Sequence, residues 1–377
     1  MLEAFSPQSE LFSSPTYCFD SGHLDYDVGK DIPLRVLGRL IEKHEGLLDG
    51  DLSASDVLPF QEPVKAILAS ETSLGTLPDA RIKVFDRSAR GSIDYVLSRI
   101  VGQDGSVALP LPNWMFWDNL RGVQREEYYL DCFLALDSDQ LVENYKTLVR
   151  QHKFDALLLV HPSNPLGYKL TPEILKELDQ ISEREGITIV VDDLLRGNQP
   201  EGDRETIAAS LSRPYLVEGF SHRFGAIPLG SFSYVLVPED DGLIEAPQLQ
   251  PNMYSEVLAA AYRYSTPKIA REIQRRNEIF DKEISRYCPD VRISRPSITS
   301  ISSVLELPPQ SRMGAIQFRH YAEKNDIGVY PVNSFFPREV RQPDGSSKLL
   351  RITVGSMDID RIREGAEKLG MLIGDLC

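Results

Sequence analysis

Residues 215–230, YLVEGFSHRFGAIPLG, place a histidine just after an apolar run that ends in a small-residue turn. A free imidazole titrates near pH ~6.5, so His222 can take or give a proton at neutral pH and is a candidate general base. Other apolar runs end in groups equally able to do chemistry. ALLLV leads into His161-Pro162-Ser163-Asn164-Pro165-Leu166-Gly167, ITIVV into Asp192-Asp193-Leu194-Leu195, and SVALPL into Pro112-Asn113-Trp114. Arg87-Ser88-Ala89-Arg90-Gly91 opens a helical pattern, and Leu350-Arg351-Ile352-Thr353-Val354 is an extended apolar segment with one arginine inside it. A carboxylate such as Asp192 can hold a cation, and a helix start such as Ser88-Ala89 favours an anion. The guanidinium of Arg351 matches a carboxylate in a planar, two-pronged way that lysine makes poorly.

Each of these groups also has a plainer reading. His222 can be a proton carrier or merely fill a pocket. Asp192 can contact a ligand or cap a loop, and Asp193 beside it reads as structural. Asn164 between prolines suits ordinary turn chemistry. Trp114, near Phe116 and Trp117, suits core or dimer packing. His161 reads as a turn or packing residue, His44 as a packing residue on a helix, and the Glu/Arg-rich run at 271–286 as a solvated helix face.

The elements that would position these residues follow from periodicity. Residues 33–48 repeat apolar positions at helical spacing, and a further helix is expected near 63–70. From residue 81 extended segments (81–85, 106–111, 156–160, 187–191, 215–220, 231–237) alternate with helical ones (92–101, 172–184). Thr171 can cap the helix at 172, Pro172 fits its first position and Gly186 can end it. Continuous apolar strands separated by helices are buried on both faces, which predicts an α/β chain with a mostly parallel sheet. Loops at the strand ends of such a sheet are where ligands bind. After about residue 250 a long charged helix (256–281), short strands (300–307, 349–354) and a closing amphipathic helix (359–372) predict a smaller α+β domain. The division expected is 50–250 for the large domain, with 1–49 and 251–377 forming the small one.

The chain has 377 residues, is 42% apolar and carries a net charge of -15. That balance argues against nucleic acid or an anionic membrane as partner and for a small-molecule ligand. The four cysteines are scattered without a CxxC pair, so no zinc site or other metal site is expected. No secretory leader and no run of 18 apolar residues is visible, so a cytoplasmic protein without a membrane partner is expected.

The order and spacing of the strand-end segments resemble the class I/II aminotransferases, fold type I of the pyridoxal-phosphate enzymes, and most of all their histidinol-phosphate aminotransferase branch. The resemblance spans roughly residues 80 to 370. It implies a homodimer acting on an amino acid or keto acid, with pyridoxal 5'-phosphate or pyridoxamine 5'-phosphate as cofactor. Trp114 would stack on the pyridine face, and Asn164, in a segment similar to NPxNPTG, would meet the ring hydroxyl. Asp192 would pair with the protonated ring nitrogen, Ser88, Ala89 and Ser221 would meet the phosphate, and Arg351 would take the substrate carboxylate.

The departures are as informative. The Schiff-base lysine of the family's SKxxG pattern falls on His222, in Ser221-His222-Arg223-Phe224-Gly225. The tyrosine three residues after the aspartate is Leu195, the hydroxyl residue three before the lysine is Gly219, and the phosphate arginine falls near Gly230 or Ser231. Losing hydrogen bonds to a dianion at about 1.5–3 kcal/mol each weakens that cup by a few kcal/mol, unless Arg223, Arg87 or Arg90 substitutes. Three functions stay open: a B6 enzyme that binds its cofactor without a covalent lysine and uses His222 as proton shuttle, a non-catalytic homologue, and an acid–base enzyme that reuses the pocket without B6.

Overall fold

The computed structural model describes residues 16–19, 81–85, 88–102, 105–113, 126–131, 138–167, 169–194, 207, 210–219, 233–245, 253–295, 300–337 and 345–376. After a short first strand, β1 (Tyr17–Cys18), seven strands build one sheet. They are β2 (Ile82–Phe85), β3 (Ser106–Leu111), β4 (Glu126–Asp131), β5 (Ala156–Val160), β6 (Thr188–Asp192), β7 (Tyr215–Gly219) and β8 (Ser233–Leu236). Their order is β2-β8-β7-β6-β5-β3-β4. β4, β3, β5, β6 and β7 run parallel, and β8 is antiparallel to both of its neighbours. The sheet is mostly parallel, as its apolar runs predict.

Among the described residues three helices connect these strands: α1 (Ala89–Val101), α2 (Ser138–Gln151) and α3 (Pro172–Glu185). α1 buries Ala89, Ser92, Ile93, Val96 and Leu97, a stripe at helical spacing that lies on β6, β7 and β8. Its core partners include Ala156, Leu158, Val190 and Val217. Because side chains alternate along a strand, Val160, Asp192 and Gly219 turn to that same face. α3 starts and stops as its residues dictate. The Thr171 hydroxyl accepts from the Ile174 N–H at 3.4 Å, Pro172 opens the first turn, and Gly186 closes the helix at a left-handed φ of 71°.

The C-terminal part begins with α4 (Met253–Tyr287), longer at both ends than its charge pattern suggests. β9 (Arg292–Ser294), β10 (Ser302–Glu306), α5 (Ala315–Lys324), β11 (Ile327–Gly328), β12 (Tyr330–Pro331), β13 (Leu349–Thr353) and α6 (Ile359–Gly374) follow. A four-stranded sheet runs β12-β13-β10-β9, and β1 pairs with β11. The Thr353 N–H donates to the Phe19 carbonyl at 2.8 Å, tying the start of the chain to its end. Phe19, Phe280, Phe318, Leu350 and Ile352 share the core here.

Two expectations need comment. The run at 271–286 is not simply a solvated face, because Arg276, Asn277 and Glu283 are buried. The Arg276 guanidinium donates to the carbonyls of Val354 and Gly355 and pairs with Glu272, so it holds α4 against the segment before α6. The helices expected at 33–48, with His44, and near 63–70 lie outside the described residues.

Candidate functional site

Asp192 closes β6 on the face that α1 covers, and is 8% exposed. Its Oδ1 accepts from the Leu194 N–H at 3.1 Å. Burial pushes its carboxyl up to about 7, against the pull of the Leu194 N–H, with the neighbouring Asp193 charge adding to the rise. A carboxyl in this state favours the arrival of a cation.

The loop after β5 brings Asn164 to the same edge. Leu166 is anchored in an apolar seam with Leu111, Val304, Val332 and Phe336, and the Gly167 N–H returns to the Ser163 carbonyl at 2.9 Å. The Asn164 Oδ1 is buried without a hydrogen-bond partner. Two neighbours share this property. Asn113, after β3, is 1% exposed with neither Oδ1 nor Nδ2 bonded, and His161, after β5, is buried with Nε2 unbonded. Native proteins leave few such atoms, and each costs about 1–3 kcal/mol, so a concentration at strand ends marks a place meant to be filled. Asn113 stood in the sequence beside Trp114 but carried no pattern of its own. Only its burial reveals it.

α1 begins at the ends of β6 and β7, with Ser88 as its cap. The Ser88 hydroxyl accepts from the Gly91 N–H at 3.2 Å, and Ala89 is buried behind it. Gly219 explains the missing hydroxyl of the strand. A Cβ there would lie 2.9 Å from both the Ala89 Cβ and the Leu194 Cδ1, so β7 and α1 meet where no side chain fits. Gly219→Ser is therefore expected to destabilise the fold by about 1–3 kcal/mol in urea unfolding, rather than rebuild the hydroxyl contact. A neutral or stabilising result would show that α1 can move aside.

Arg351 comes from the other sheet. In β13 it stands opposite Val304, and Val304 packs in the seam with Leu111 and Leu166, so both face the strand ends of the large sheet. Its guanidinium lies 5.3 Å from the Tyr330 ring centre and 5.0 Å from that of Phe335. The Phe335 carbonyl accepts from the Asn113 N–H at 3.2 Å, so Arg351 and Asn113 flank the same aromatic residue. Arg351 is 7% exposed. Aromatic faces can orient a guanidinium without consuming its N–H donors.

Asp192, Asn164, Ser88, Ala89 and Arg351 are thus placed at the strand ends and the facing sheet. Trp114, Ser221 and His222 lie outside the described residues, as do Leu195, Arg223, Gly230 and Ser231. Among the described residues no cluster of His, Cys, Asp or Glu could hold a metal ion, and no helix is long and apolar enough to cross a membrane.

No protein-family model matches the chain, and no curated protein matches it in sequence. Its three-dimensional form does match solved structures. A multiple substrate aminotransferase from Thermococcus profundus superposes at a TM-score of 0.73 and 15% identity, over 100% of this chain and 96% of that one. The chain has the fold of the pyridoxal-phosphate-dependent aminotransferases. Kynurenine aminotransferase from Pyrococcus horikoshii, solved with PMP, gives 0.71 at 16% identity over 99% of this chain and 97% of that one. A PLP-bound C-S lyase from Staphylococcus hominis gives 0.73 at 12% identity over 98% and 92%. The same fold therefore hosts both transfer and bond-cleaving chemistry among these neighbours, and the fold by itself assigns neither.

Proposed function

We propose that the chain is an aminotransferase-like vitamin-B6 enzyme that acts on an amino acid or keto acid. It would bind pyridoxal or pyridoxamine phosphate without a covalent lysine and use His222 as proton shuttle. The observation that carries this is Asp192, a buried carboxyl on the α1 face of the strand ends with one backbone N–H for a partner. The residues fit the cofactor at its ring end. Asp192 would hold the ring nitrogen, Asn164 the ring hydroxyl and Trp114 the ring face, while Ser88, Ala89 and Ser221 would meet the phosphate at the start of α1. The bound ring would supply an electron sink, strongest when its nitrogen is protonated. Arg351 would hold the substrate carboxylate and so fix which Cα bond faces His222. His222, three residues past the end of β7, would take the proton from Cα and return it to carbon. The absence of a lysine at that position favours dehydration, tautomerisation or a half-reaction over ordinary cycling between amino donors.

A second reading, a non-catalytic homologue, draws on the lysine, tyrosine and phosphate arginine that the resemblance implies and the chain lacks, beside the close approach of Gly219 to α1, which leaves no room for a side chain there. Against it stands the company of Asp192, Asn164 and Arg351, which a retired pocket has no need to keep. A third, acid–base chemistry by His222 and Asp192 without B6, would need no ring partner for Asp192.

His222→Ala separates the first two. It is expected to keep pyridoxamine-phosphate affinity within about threefold and to slow exchange of the substrate α-proton with deuterated water by about 100-fold or more, followed by NMR. Unchanged exchange would remove His222 from the chemistry. We further propose the histidinol-phosphate aminotransferase branch as the nearest kin, a homodimeric assembly, and the domain division at about residues 50 and 250.

A further inference from the structure

Asn113 is a side chain of this region that the chemistry above does not use. It follows the end of β3, is 1% exposed, and neither its Oδ1 nor its Nδ2 has a hydrogen-bond partner. Its main chain is fixed, because its N–H donates to the Phe335 carbonyl at the end of the short helical turn Val332–Phe335. The apolar seam adjoins it on both sides, through Leu111 just before it and through Phe336 beside Phe335. A buried amide with both ends unmet lowers stability, and a lone water relieves it only where about two to four polar groups meet. Leucine and phenylalanine side chains supply none.

The position of Asn113 narrows what it can meet. Neighbouring strands lie about 5 Å apart, and the order β6-β5-β3 sets Asp192, the loop with Asn164 and then Asn113 one after another along the strand ends. Asp192 and Asn164 would hold the ring of the proposed cofactor, which leaves Asn113 one strand beyond it. On that side stands Arg351, whose guanidinium lies 5.0 Å from the centre of the same Phe335 ring. Asn113 thus sits between the ring site and the residue that would take the substrate carboxylate.

An amide is neutral and offers both N–H donors and an acceptor oxygen. A carboxylate placed on it would satisfy Nδ2 and set its charge against Oδ1. An ammonium would do the reverse, and a hydrocarbon would satisfy neither. A carboxamide meets both ends at once, donating to Oδ1 and accepting from Nδ2.

We propose that Asn113 determines substrate specificity by pairing with a carboxamide, so that the amino or keto acid held on Arg351 is one whose side chain ends in an amide. This role rests on the substrate reading of Arg351 given above, and it deepens that reading by naming the side chain. Sites built to hydrogen-bond a substrate group reject analogues that lack it, because their own buried atoms then stay unpaired.

The test has two readouts, taken on the parent, Asn113→Leu and Asn113→Ala. The first is calorimetric binding of L-asparagine, L-glutamine, L-aspartate, L-glutamate and L-leucine, with and without pyridoxal phosphate. The parent is expected to bind one of the two amides at least about 100-fold more tightly than its carboxylate analogue and than leucine, and both variants to lose that preference. The second is thermal unfolding of the unliganded protein. The better tolerated of the two variants is expected to raise the midpoint by about 2 °C or more, since it removes an unmet amide from an apolar place. An asparagine that serves only the fold would give the opposite sign. No amide preference in the parent, a preference that survives in both variants, or a midpoint that neither variant raises would overturn the proposal. Amide preference without any binding of pyridoxal phosphate would sink the B6 site and leave Asn113 its role, whereas cofactor binding without amide preference would do the reverse.

Discussion

Unliganded protein is expected to lose stability as pH rises from about 4 to about 7, and Asp192→Asn to abolish that loss. Burial pushes the Asp192 carboxyl up to about 7 from its ordinary 3.8. Between those values the folded state keeps a proton that the unfolded chain has released, so rising pH favours unfolding until both forms are ionised. Three units of difference put the effect on the order of 2–4 kcal/mol at pH 8, before any relaxation of the site. The exposed Glu143, Glu173 and Asp326 have lowered pKa values and act in the opposite sense, which is why the comparison must be parent against variant. Matching urea midpoints for parent and Asp192→Asn at pH 8 would mean that the carboxyl already has a cation beside it. A cation supplied by a ligand should cancel the same penalty, so binding and stability at pH 8 ought to rise together.

Arg351→Leu is expected to weaken binding of a carboxylate substrate to the cofactor-loaded protein by about 100-fold or more, since truncating one partner of a buried charge pair costs about 2–5 kcal/mol. The aromatic cradle of Tyr330 and Phe335 makes the position specific. Arg351→Lys retains the charge but loses the planar fork that lies against those rings, so it should recover only a small part of the loss. Binding can be followed by the change in cofactor absorbance on titration with keto acids. Equal affinity in parent and leucine variant would assign Arg351 to packing alone.

The strands at 106–111 and 156–160 were legible because continuous apolar runs bounded by loop residues leave little freedom. α3 was legible from its caps. β4 was not, since EEYYLD is half charged and sits at the edge of the sheet, where burial imposes little pattern. α2 and α5 went unassigned although both carry buried stripes at helical spacing, Leu141, Val142, Tyr145 and Leu148 in one and Ala315, Phe318 and Ala322 in the other. In the site, Asp192, Asn164 and Arg351 were found by order along the chain. The tightness at Gly219 and the unmet polar atoms of Asn113 and His161 were not, because they arise from how β7 meets α1 and how β3 lies beside β5. Arg276 misled for a related reason. A guanidinium that bonds main-chain carbonyls looks, in sequence, like any other charge on a helix.

The most direct test of the B6 site is an absorbance titration of the purified protein with pyridoxal phosphate and with pyridoxamine phosphate, run beside Asp192→Ala. Saturable binding of either form in the parent, with a spectral change that Asp192→Ala abolishes, is the expected result. No binding of either form at high micromolar cofactor would contradict it and leave the strand-end pocket to another ligand.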